Sequence, residues 1–378
     1  MKLRNVLTIY ACLSCAATLA QSPIGESHTT VRDFTDSAGT AVPSDSPQNR
    51  KGNIFKQFFR AFNAMDTTYI TPNKYNWAFM LQNTNSFETY TLHSRELGQK
   101  LSFSPRPAIK IGPYLGWRWI FLGYTFEVSS LGKGQQSKKT EFELSLYSSM
   151  LGCDLIYRRT GDDFRLRKVK GLGEEAREVE GENYHGINVK VTGINAYYIF
   201  NHKRFSYPAA FAQSTVQRKS CGSWKVGFAY TRHELDFDYN ALPPVLTHNP
   251  NHELSQDFQV DKVKYTDFSL SCGYAYNWVF KKNWLFCISI VPAIGYKKTH
   301  TAAVQPENET ETSALASHLR NLNFDVTGRA GLVWNNTKYF GGLSLIVHNY
   351  NYRLSINNTF GTLNLYIGLN FHKRKAYR

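Results

Sequence analysis

Large apolar side chains alternate with polar or small ones near the C-terminus of the chain. From Thr362 to Phe371 every second residue is leucine, isoleucine or phenylalanine, and the residues between them are Thr, Asn, Tyr or Gly. The same period of two recurs at 321–332 and at 264–278. Successive side chains of a β-strand point to opposite faces, so each segment is predicted to be a strand with one apolar face.

Alternation fits either a soluble β-sandwich or a transmembrane antiparallel β-barrel, and three features favour the barrel. The predicted strands span about ten to twenty residues, against a usual length near five or six in globular proteins. Their connections alternate between short and long. Aromatic residues crowd the strand ends, which fits a girdle at each membrane interface, and they are Trp117, Trp119, Trp278, Trp284, Trp334, Tyr339 and Phe340.

The mean hydropathy of −0.40 and the lack of a long apolar run after the N-terminus argue against membrane helices. The chain is therefore predicted to be all-β, with a barrel at 75–372. About twelve strands are predicted, near 75–94, 100–113, 117–128, 140–150, 152–161, 188–201, 221–238, 261–280, 283–299, 319–335, 338–351 and 359–372. Short periplasmic links are predicted at 114–116, 151, 281–282 and 336–337, and longer external loops near 129–139, 162–187, 239–260 and 300–318.

One connection breaks this alternation of short and long links. Residues 202–220 take the place of a short periplasmic turn but are rich in aromatic and small residues, including Phe205, Tyr207 and Phe211. A segment of this kind is predicted to fold into the barrel and narrow it. A loose periplasmic loop is the alternative.

The first twenty residues have the layout of a secretory signal peptide. Lys2 and Arg4 precede a mostly apolar run that ends at the small residue Ala20. Cleavage after Ala20 removes both basic residues and lowers the formal net charge from +15 to +13. A lipid-modified cysteine at Cys12 or Cys15 is the alternative. The protein is thus predicted to be exported to the outer membrane.

Between the signal peptide and the barrel, two segments differ in character. Residues 21–51 are rich in Ser, Thr, Asp, Pro and Gly, which is typical of a flexible leader. Residues 52–74 are predicted to hold a short amphipathic helix and a lead-in, because apolar residues recur at helical spacing up to Met65. A basic tail follows the barrel at 373–378.

Charged residues on the polar faces of the strands are predicted to line the lumen, because a charge facing lipid costs several kcal/mol near the midplane. Both signs occur in near equality, which favours a paired, plugged interior over an anion pore. The candidates are Arg106, Lys110, Arg118, Glu127, Glu141, Glu143, Lys225, Asp267, Asp325 and Arg329.

No arrangement of residues that would carry catalysis emerges. The motif G-x-S-x-G is absent, and His93 and Ser94 are adjacent, so on a strand they face opposite ways. His248 and His252 have the spacing of a helical metal pair, but prolines in 233–261 argue against a helix there. Four scattered cysteines after the signal peptide form neither a disulfide framework nor zinc spacing. We therefore expect no enzyme activity, cofactor or metal.

The partners that the chain's charge suggests are those of the outer membrane. Lys and Arg are dispersed, which argues against nucleic acid, and they cluster only at 165–170 and 373–378. The first cluster lies in a predicted external loop and is the candidate for contact with phosphorylated lipopolysaccharide. That both clusters are simply solvated is the favoured alternative. Protein partners stay unassigned.

Several motifs together resemble a family of exported Gram-negative proteins. They are Asp66-Thr67-Thr68-Tyr69-Ile70, Gly112-Pro113-Tyr114, Trp117 to Tyr124, Tyr197-Tyr198-Ile199-Phe200-Asn201, Phe205-Ser206-Tyr207 and Gln217 to Ser223. The family is catalogued as a domain of unknown function (four-four-two-one), and the resemblance covers about residues 52–372. It implies an outer-membrane barrel with no assigned activity and transfers no catalytic residue.

Three functions remain open on the sequence. The polar lumen favours a pore or transporter for a small polar or anionic solute. A closed barrel whose external loops bind envelope components or partners is the second. A lipid-modifying enzyme is the third and has the least support.

Overall fold

A computed structural model describes residues 65–94, 96–117, 120–123, 126–128, 140–160, 163–248, 253–255, 258, 262–299, 322–353 and 356–377. Within these ranges the chain is all-β with antiparallel sheets, as predicted. No helix in them is both long and apolar enough to cross a membrane. The predicted signal peptide, leader and amphipathic helix lie outside the described residues, apart from Met65.

Eighteen strands are present in the described part of the chain. In chain order they are β1 (Ile70–Pro72), β2 (Tyr75–His93), β3 (Lys100–Pro105), β4 (Ala108–Trp117), β5 (Ile120–Gly123), β6 (Phe126–Glu127), β7 (Thr140–Tyr147), β8 (Leu151–Arg159), β9 (Phe164–Lys170), β10 (Asn183–Tyr184), β11 (Ile187–Ile199), β12 (Thr215–Gln217), β13 (Cys221–Phe237), β14 (Lys262–Lys281), β15 (Trp284–Thr299), β16 (Leu322–Asn335), β17 (Tyr339–Arg353) and β18 (Ile356–Lys373). The helices are short: α1 (Pro208–Phe211), α2 (Pro244–Thr247) and the 3-10 turns Glu175–Arg177, Tyr239–Ala241 and Lys375–Tyr377.

The main sheet follows chain order over most of its width. Its path runs β4, β2, β18, β17, β16, β15, β14, β13, β11, β8 and β7, all antiparallel. β2 pairs with β4 along its first half and with β3 along its last residues. β3, β9 and β10 therefore extend the sheet on the same side of β2 as β4 does. We call the end where β2 begins the near end and the end where β2 finishes the far end.

Each of the twelve predicted strands overlaps at least one observed strand. The predicted strand 100–113 breaks between β3 and β4 at Arg106 and Pro107, since proline lacks the N–H that a ladder requires. The predicted link at 114–116 is wrong, because these residues lie inside β4 and pair with β2. The predicted loop 162–187 contains β9 and β10.

The faces of the sheet are inverted relative to those of a water-soluble protein. Leu270 and Ile367 are 68% and 65% exposed, whereas Asp267 is 3% exposed and Asn277 is fully buried. The alternation in β18 matches the predicted one, with Leu365, Ile367 and Leu369 outside. Of the predicted girdle, Trp278 and Tyr339 are exposed, but Phe340 points inward and is 2% exposed.

Contacts across the inner face show how strongly the sheet curves. Glu88 on β2 and Arg158 on β8 lie eight strands apart along the sheet, yet their side chains form an ion pair of 2.9 Å. Arg329 on β16 reaches Asp154 on β8 at 2.6 Å. The sheet therefore wraps around an interior. Among the described residues no ladder joins β7 to β5 or β6.

Apolar clusters fill both ends of this interior. The far-end core is the larger and contains Tyr90, Phe103, Phe164, Leu235 and Tyr265, together with residues of the loops that follow β9 and β13. The near-end core is built around residues 205–210, which lie between β11 and β13 in the chain. Charged side chains occupy the layer between these cores.

The Glu88–Arg158 pair provides a test of the curvature. Replacing Glu88 by Gln or Arg158 by Met alone should lower the free energy of unfolding by about 3–5 kcal/mol, because each leaves a buried partner uncompensated. The double variant should recover a large part of this loss. Urea unfolding of the refolded protein measures all four corners of the cycle, and strictly additive losses would contradict the contact.

Candidate functional site

Residues 202–220, which we call the inserted segment, fold back into the interior at the near end. Phe205 and Tyr207 are fully buried, and the segment packs on Tyr147 of β7, Leu285 of β15 and Val333 of β16. The prediction that this segment folds into the interior is thus confirmed, and the alternative, a loose periplasmic loop, is wrong.

The local sequence explains why this segment can enter. Pro208 occupies the first turn of α1, where its missing N–H and fixed φ are tolerated. Ala209 and Ala210 follow, and their small side chains allow close approach to β16, where Gly331 leaves room: an added Cβ there would lie 3.4 Å from the Ala210 carbonyl oxygen. Gln213 ends the turn with a φ of +54°, and its amide contacts Tyr366 and Asn335.

Gln217 ties the two ends of the segment together and to the sheet. Its Oε1 accepts from the Ser206 backbone N–H at 2.9 Å, and its Nε2 donates to the Arg204 carbonyl at 2.6 Å. Asn277 of β14 donates to both the Ser206 carbonyl and Gln217 Oε1, at 2.8 and 3.1 Å. These groups are buried, so each bond satisfies a polar atom that water does not reach.

The chain before β2 closes over the same segment. β1 pairs with β12, and the Asp66 backbone N–H donates to the Lys203 carbonyl at 2.8 Å. Hydrogen bonds from Thr68, together with the nearby guanidinium of Arg204, lower the pKa of the Asp66 carboxyl. Two of the motifs on which the family resemblance rests therefore meet here, although they are more than one hundred residues apart in sequence.

A buried charge cluster lies directly on the inserted segment. Arg329 donates to Asp154 Oδ2 at 2.6 Å and to the Tyr147 hydroxyl at 2.9 Å. Ser145 satisfies the other oxygen of Asp154 at 2.7 Å. Lys225, 3% exposed, donates to the Tyr207 hydroxyl at 3.0 Å, and its Nζ lies 4.1 Å from the centroid of that ring. The cluster thus couples the inserted segment to β13.

Above this cluster is an enclosed polar chamber of about 60 Å³. At about 10–15 Å³ per water it holds about four to six water molecules. Its walls carry acids and bases, namely Asp154, Asp267, Asp325, Lys225 and Arg329. Among the described residues, Asp267 Oδ1 and the Tyr197 hydroxyl are buried without a hydrogen-bond partner, so both have capacity for water or a polar solute.

Stacked rings separate the chamber from the far-end core. His233 stacks on Tyr265 at 4.7 Å, and His348 stacks on Phe360 at 4.7 Å, with Tyr350 touching both histidines. A cation caps each end of the row, Lys297 over Tyr265 and Arg158 over Phe360, both at 4.9 Å. This layer closes the chamber on the far side.

A second cavity, of about 350 Å³, runs alongside the inserted segment. It lies between Phe211–Gln213 and the inner faces of β2, β17 and β18. Its polar lining is mostly hydroxyl and amide groups, from Gln82, Thr84, Ser86, Ser145, Ser344, Thr362 and Asn364. Lys110 and Arg158 are its charged lining residues, and no described acid lines it.

The ten sequence candidates divide clearly. Lys225, Asp267, Asp325 and Arg329 are buried and share the chamber, and Lys110 lines the second cavity. Glu127 pairs with Lys110 in the ladder of β4 and β6. Glu141 and Glu143 lie on β7, opposite Arg158 and Ile156 of β8, and their side chains are outside the described part, as is Arg118 altogether.

Arg106 departs from the expectation. It lies in the break between β3 and β4, is exposed, and donates to Asn183 on β10 instead of pointing inward. Asp154 and Arg158 also lie in the interior but are not among the ten candidates, although their spacing of four on one strand places them on the same face. No group of three or more His, Cys, Asp or Glu in the described ranges could hold a metal ion.

Gln217 offers a test of how the segment is held. Gln217→Ala leaves the buried Ser206 N–H and Asn277 amide with one partner fewer, at a cost of about 1–3 kcal/mol, or about 5- to 150-fold in the opening equilibrium. Chymotrypsin should then cleave after Phe205 and Phe211 faster by that factor, since Pro208 protects the bond after Tyr207. The matched control is Gln99→Ala, a buried glutamine at the far end that also bonds backbone groups. Equal cleavage in both variants would contradict this role.

Comparison with solved structures finds outer-membrane proteins at low similarity. An outer membrane channel from Pseudomonas putida F1 is 8% identical, with 79% of this chain and 96% of that chain covered and a TM-score of 0.28. A bacterial polysaccharide outer membrane secretin is 7% identical, with 79% and 99% covered and a TM-score of 0.29. The toluene transporter of P. putida is 9% identical, with 79% and 91% covered and a TM-score of 0.19.

The search of curated proteins finds no match. The family comparison is decisive, because one family model matches residues 64–371, which include the inserted segment, the chamber and nearly every described strand. The chain belongs to the family described as Domain of unknown function (DUF4421).

Proposed function

We propose that this protein is a transmembrane β-barrel of the outer membrane that admits a small polar or anionic solute past a displaceable inserted segment. The observation that carries the barrel is the inverted sheet: aliphatic and aromatic side chains are exposed all along the strands, while Asp154, Lys225 and Arg329 are buried. In water the apolar outer face would be exposed to solvent and the charged inner face would lose hydration. In a bilayer the apolar face contacts lipid and the charged face lines the interior.

Orientation follows from the same barrel. In outer-membrane barrels the termini and short turns are periplasmic and the long loops are external. Here β2 and β18 neighbour each other, and the near end carries both the start of β2 and the finish of β18. We therefore assign the near end, with the inserted segment, to the periplasm and the far-end core to the cell surface.

The second cavity supports passage of a solute. It adjoins the inserted segment, and its hydroxyl and amide lining suits a small polar solute. Its two charged lining residues, Lys110 and Arg158, are both basic, and Arg158 is already paired with Glu88. The chamber beyond it offers Asp267 Oδ1 and the Tyr197 hydroxyl as unfilled polar positions. A solute would replace water at these groups, and displacement of Tyr207 from Lys225 would widen the route.

A closed interaction barrel is the second candidate, and the packing of both ends favours it. In that case the interior charges serve stability, and the function lies in external surfaces. The two candidates differ in one property: whether loosening the inserted segment opens a path for ions.

Planar-bilayer conductance separates them. Wild-type protein should be closed for most of the time, and Gln217→Ala should raise the open fraction by about tenfold, because about 1.4 kcal/mol of segment stability is lost. Asn349→Ala, an exposed site near the opposite end of β17, is the control and should behave as wild type. If chymotrypsin shows that the segment is released but conductance stays unchanged, the closed barrel is correct.

A further inference from the structure

We propose that the outer face of β3 and β9 is a docking surface for the phosphate groups of lipopolysaccharide in the surrounding outer leaflet. The inference rests on the proposed placement in the outer membrane and goes beyond the solute path, since it concerns the opposite face of the sheet. Its core is an arginine cluster of Arg106, Arg165 and Arg167.

Two side-chain hydrogen bonds and two ladder pairings bring these arginines together. Arg106 Nη2 donates to Asn183 Oδ1 at 3.2 Å, and Asn183 of β10 is the ladder partner of Arg165 of β9. On its other side Arg165 pairs with Ser104 of β3, and Ser104 Oγ accepts from Arg167 Nε at 3.3 Å. Asn183 therefore connects Arg106 to Arg165, and Ser104 connects Arg165 to Arg167.

The cluster lies on the outside of the sheet. Phe164, Leu166 and Val169, between and beside the basic positions, point into the far-end core and are at most 1% exposed. Arg106 and Arg167 are exposed and Arg165 is half-buried. A register shift between Ser102 and Phe103 on β3 accommodates an extra residue at Arg167, so that Arg167 and Lys168 both end up outside.

Three lysines extend the basic surface along β3 and β9, and two of them face each other. Lys100 and Lys170 lie directly opposite each other in the ladder, and Lys168 is exposed two pairs away, opposite Ser102. Like charges facing each other across strands destabilise a sheet unless an anion lies between them. None of these six basic residues forms an ion pair with an acid in the described part of the chain.

Acidic residues nearby leave the surface basic. Glu180 accepts from the Val169 backbone N–H at 2.8 Å, and Glu174 pairs with Arg177 at 3.0 Å. Asp163 precedes β9, and Glu182 is exposed next to Asn183; in the described ranges neither forms an ion pair with the three arginines. Against three arginines and three lysines, these two acids leave the surface with a net positive charge.

Its height matches the lipid headgroups. Phe87 and Ile109 are the last exposed apolar residues on β2 and β4 below the cluster, at 42% and 46% exposure. Arg106 precedes Ile109 by three residues, which is about 10 Å along a strand. Apolar side chains would therefore face the acyl chains while the guanidiniums reach the phosphates. Guanidinium binds phosphate in bidentate fashion, which makes arginine suited to this contact.

The test measures binding of bisphosphorylated lipid A to the folded, detergent-solubilised full chain. Replacing all three arginines by glutamine should weaken binding at least tenfold, since each loses a charge-assisted bond. The matched control replaces Arg232, Lys262 and Lys298 by glutamine; two of these already pair with Glu234 and Asp236, and the net charge change is identical. This control should bind within twofold of wild type.

Two further probes identify the chemistry that is bound. Dephosphorylated lipid A should bind wild type at least tenfold more weakly, and inorganic phosphate should compete only at far higher concentration. Equal binding of dephosphorylated lipid A would overturn the proposal in favour of the apolar belt alone. Inorganic phosphate that binds as tightly as lipid A would overturn it in favour of a free-anion site.

Folding and membrane placement are measured separately. Heat-modifiable gel mobility and membrane fractionation must match wild type before a binding value is compared. If wild type is found outside the membrane, the proposed function fails. If all variants are inserted and the triple-arginine variant binds lipid A like wild type, only the docking surface fails.

Discussion

This molecule depends on one constraint: its sheet buries charged side chains on one face and exposes apolar side chains on the other. Arg329 and Asp154 meet at 2.6 Å with both side chains nearly inaccessible, and Ser145 and Tyr147 fill remaining bonding positions. A buried ion pair is tolerable only when such additional bonds offset the loss of hydration. The sheet must therefore curve enough for β16 to reach β8, and the exposed leucines and isoleucines must face something other than water.

The inserted segment follows from the same constraint. A curved sheet with a polar inner wall leaves space that water or protein must fill, and here Phe205, Tyr207 and two alanines fill the near end. Tyr207 links these apolar residues to the polar layer. The ammonium of Lys225 lies over its ring and donates a hydrogen bond to its hydroxyl. Burial raises the pKa of the Tyr207 phenol, so it stays a neutral partner for Lys225. Stability of the interior and, in the proposed function, control of passage thus depend on one contact.

Much of this architecture follows from parity, by which we mean the alternation of successive side chains between the two faces of a strand. Asp267, Asp325 and Arg329 could be assigned to the interior because their strands alternate without interruption. Parity failed for Arg106, where prolines on either side end one strand and begin another. It also missed the strand character of β9, whose extra residue at Arg167 interrupts the period of two.

Partners across the interior could not be predicted from the sequence. The insertion of 202–220 could be anticipated from its length and aromatic content, but the bonds of Gln217 to Asn277 depend on how far β14 lies from the segment. The same holds for Glu88 and Arg158, whose meeting depends on the curvature of the whole sheet. The local pattern determines which face a residue occupies, and only the curvature of the sheet determines which residue it contacts there.

The most direct test of this account compares two adjacent residues of β14. Single cysteines at Leu270, 68% exposed, and at Ser269, 7% exposed, would carry a fluorophore in a chain whose four other strand cysteines are replaced by alanine. In vesicles containing a lipid-borne quencher, the Leu270 probe should be strongly quenched and the Ser269 probe hardly at all. Equal quenching at both sites, or quenching at Ser269 alone, would contradict an inverted sheet with lipid outside and charge within.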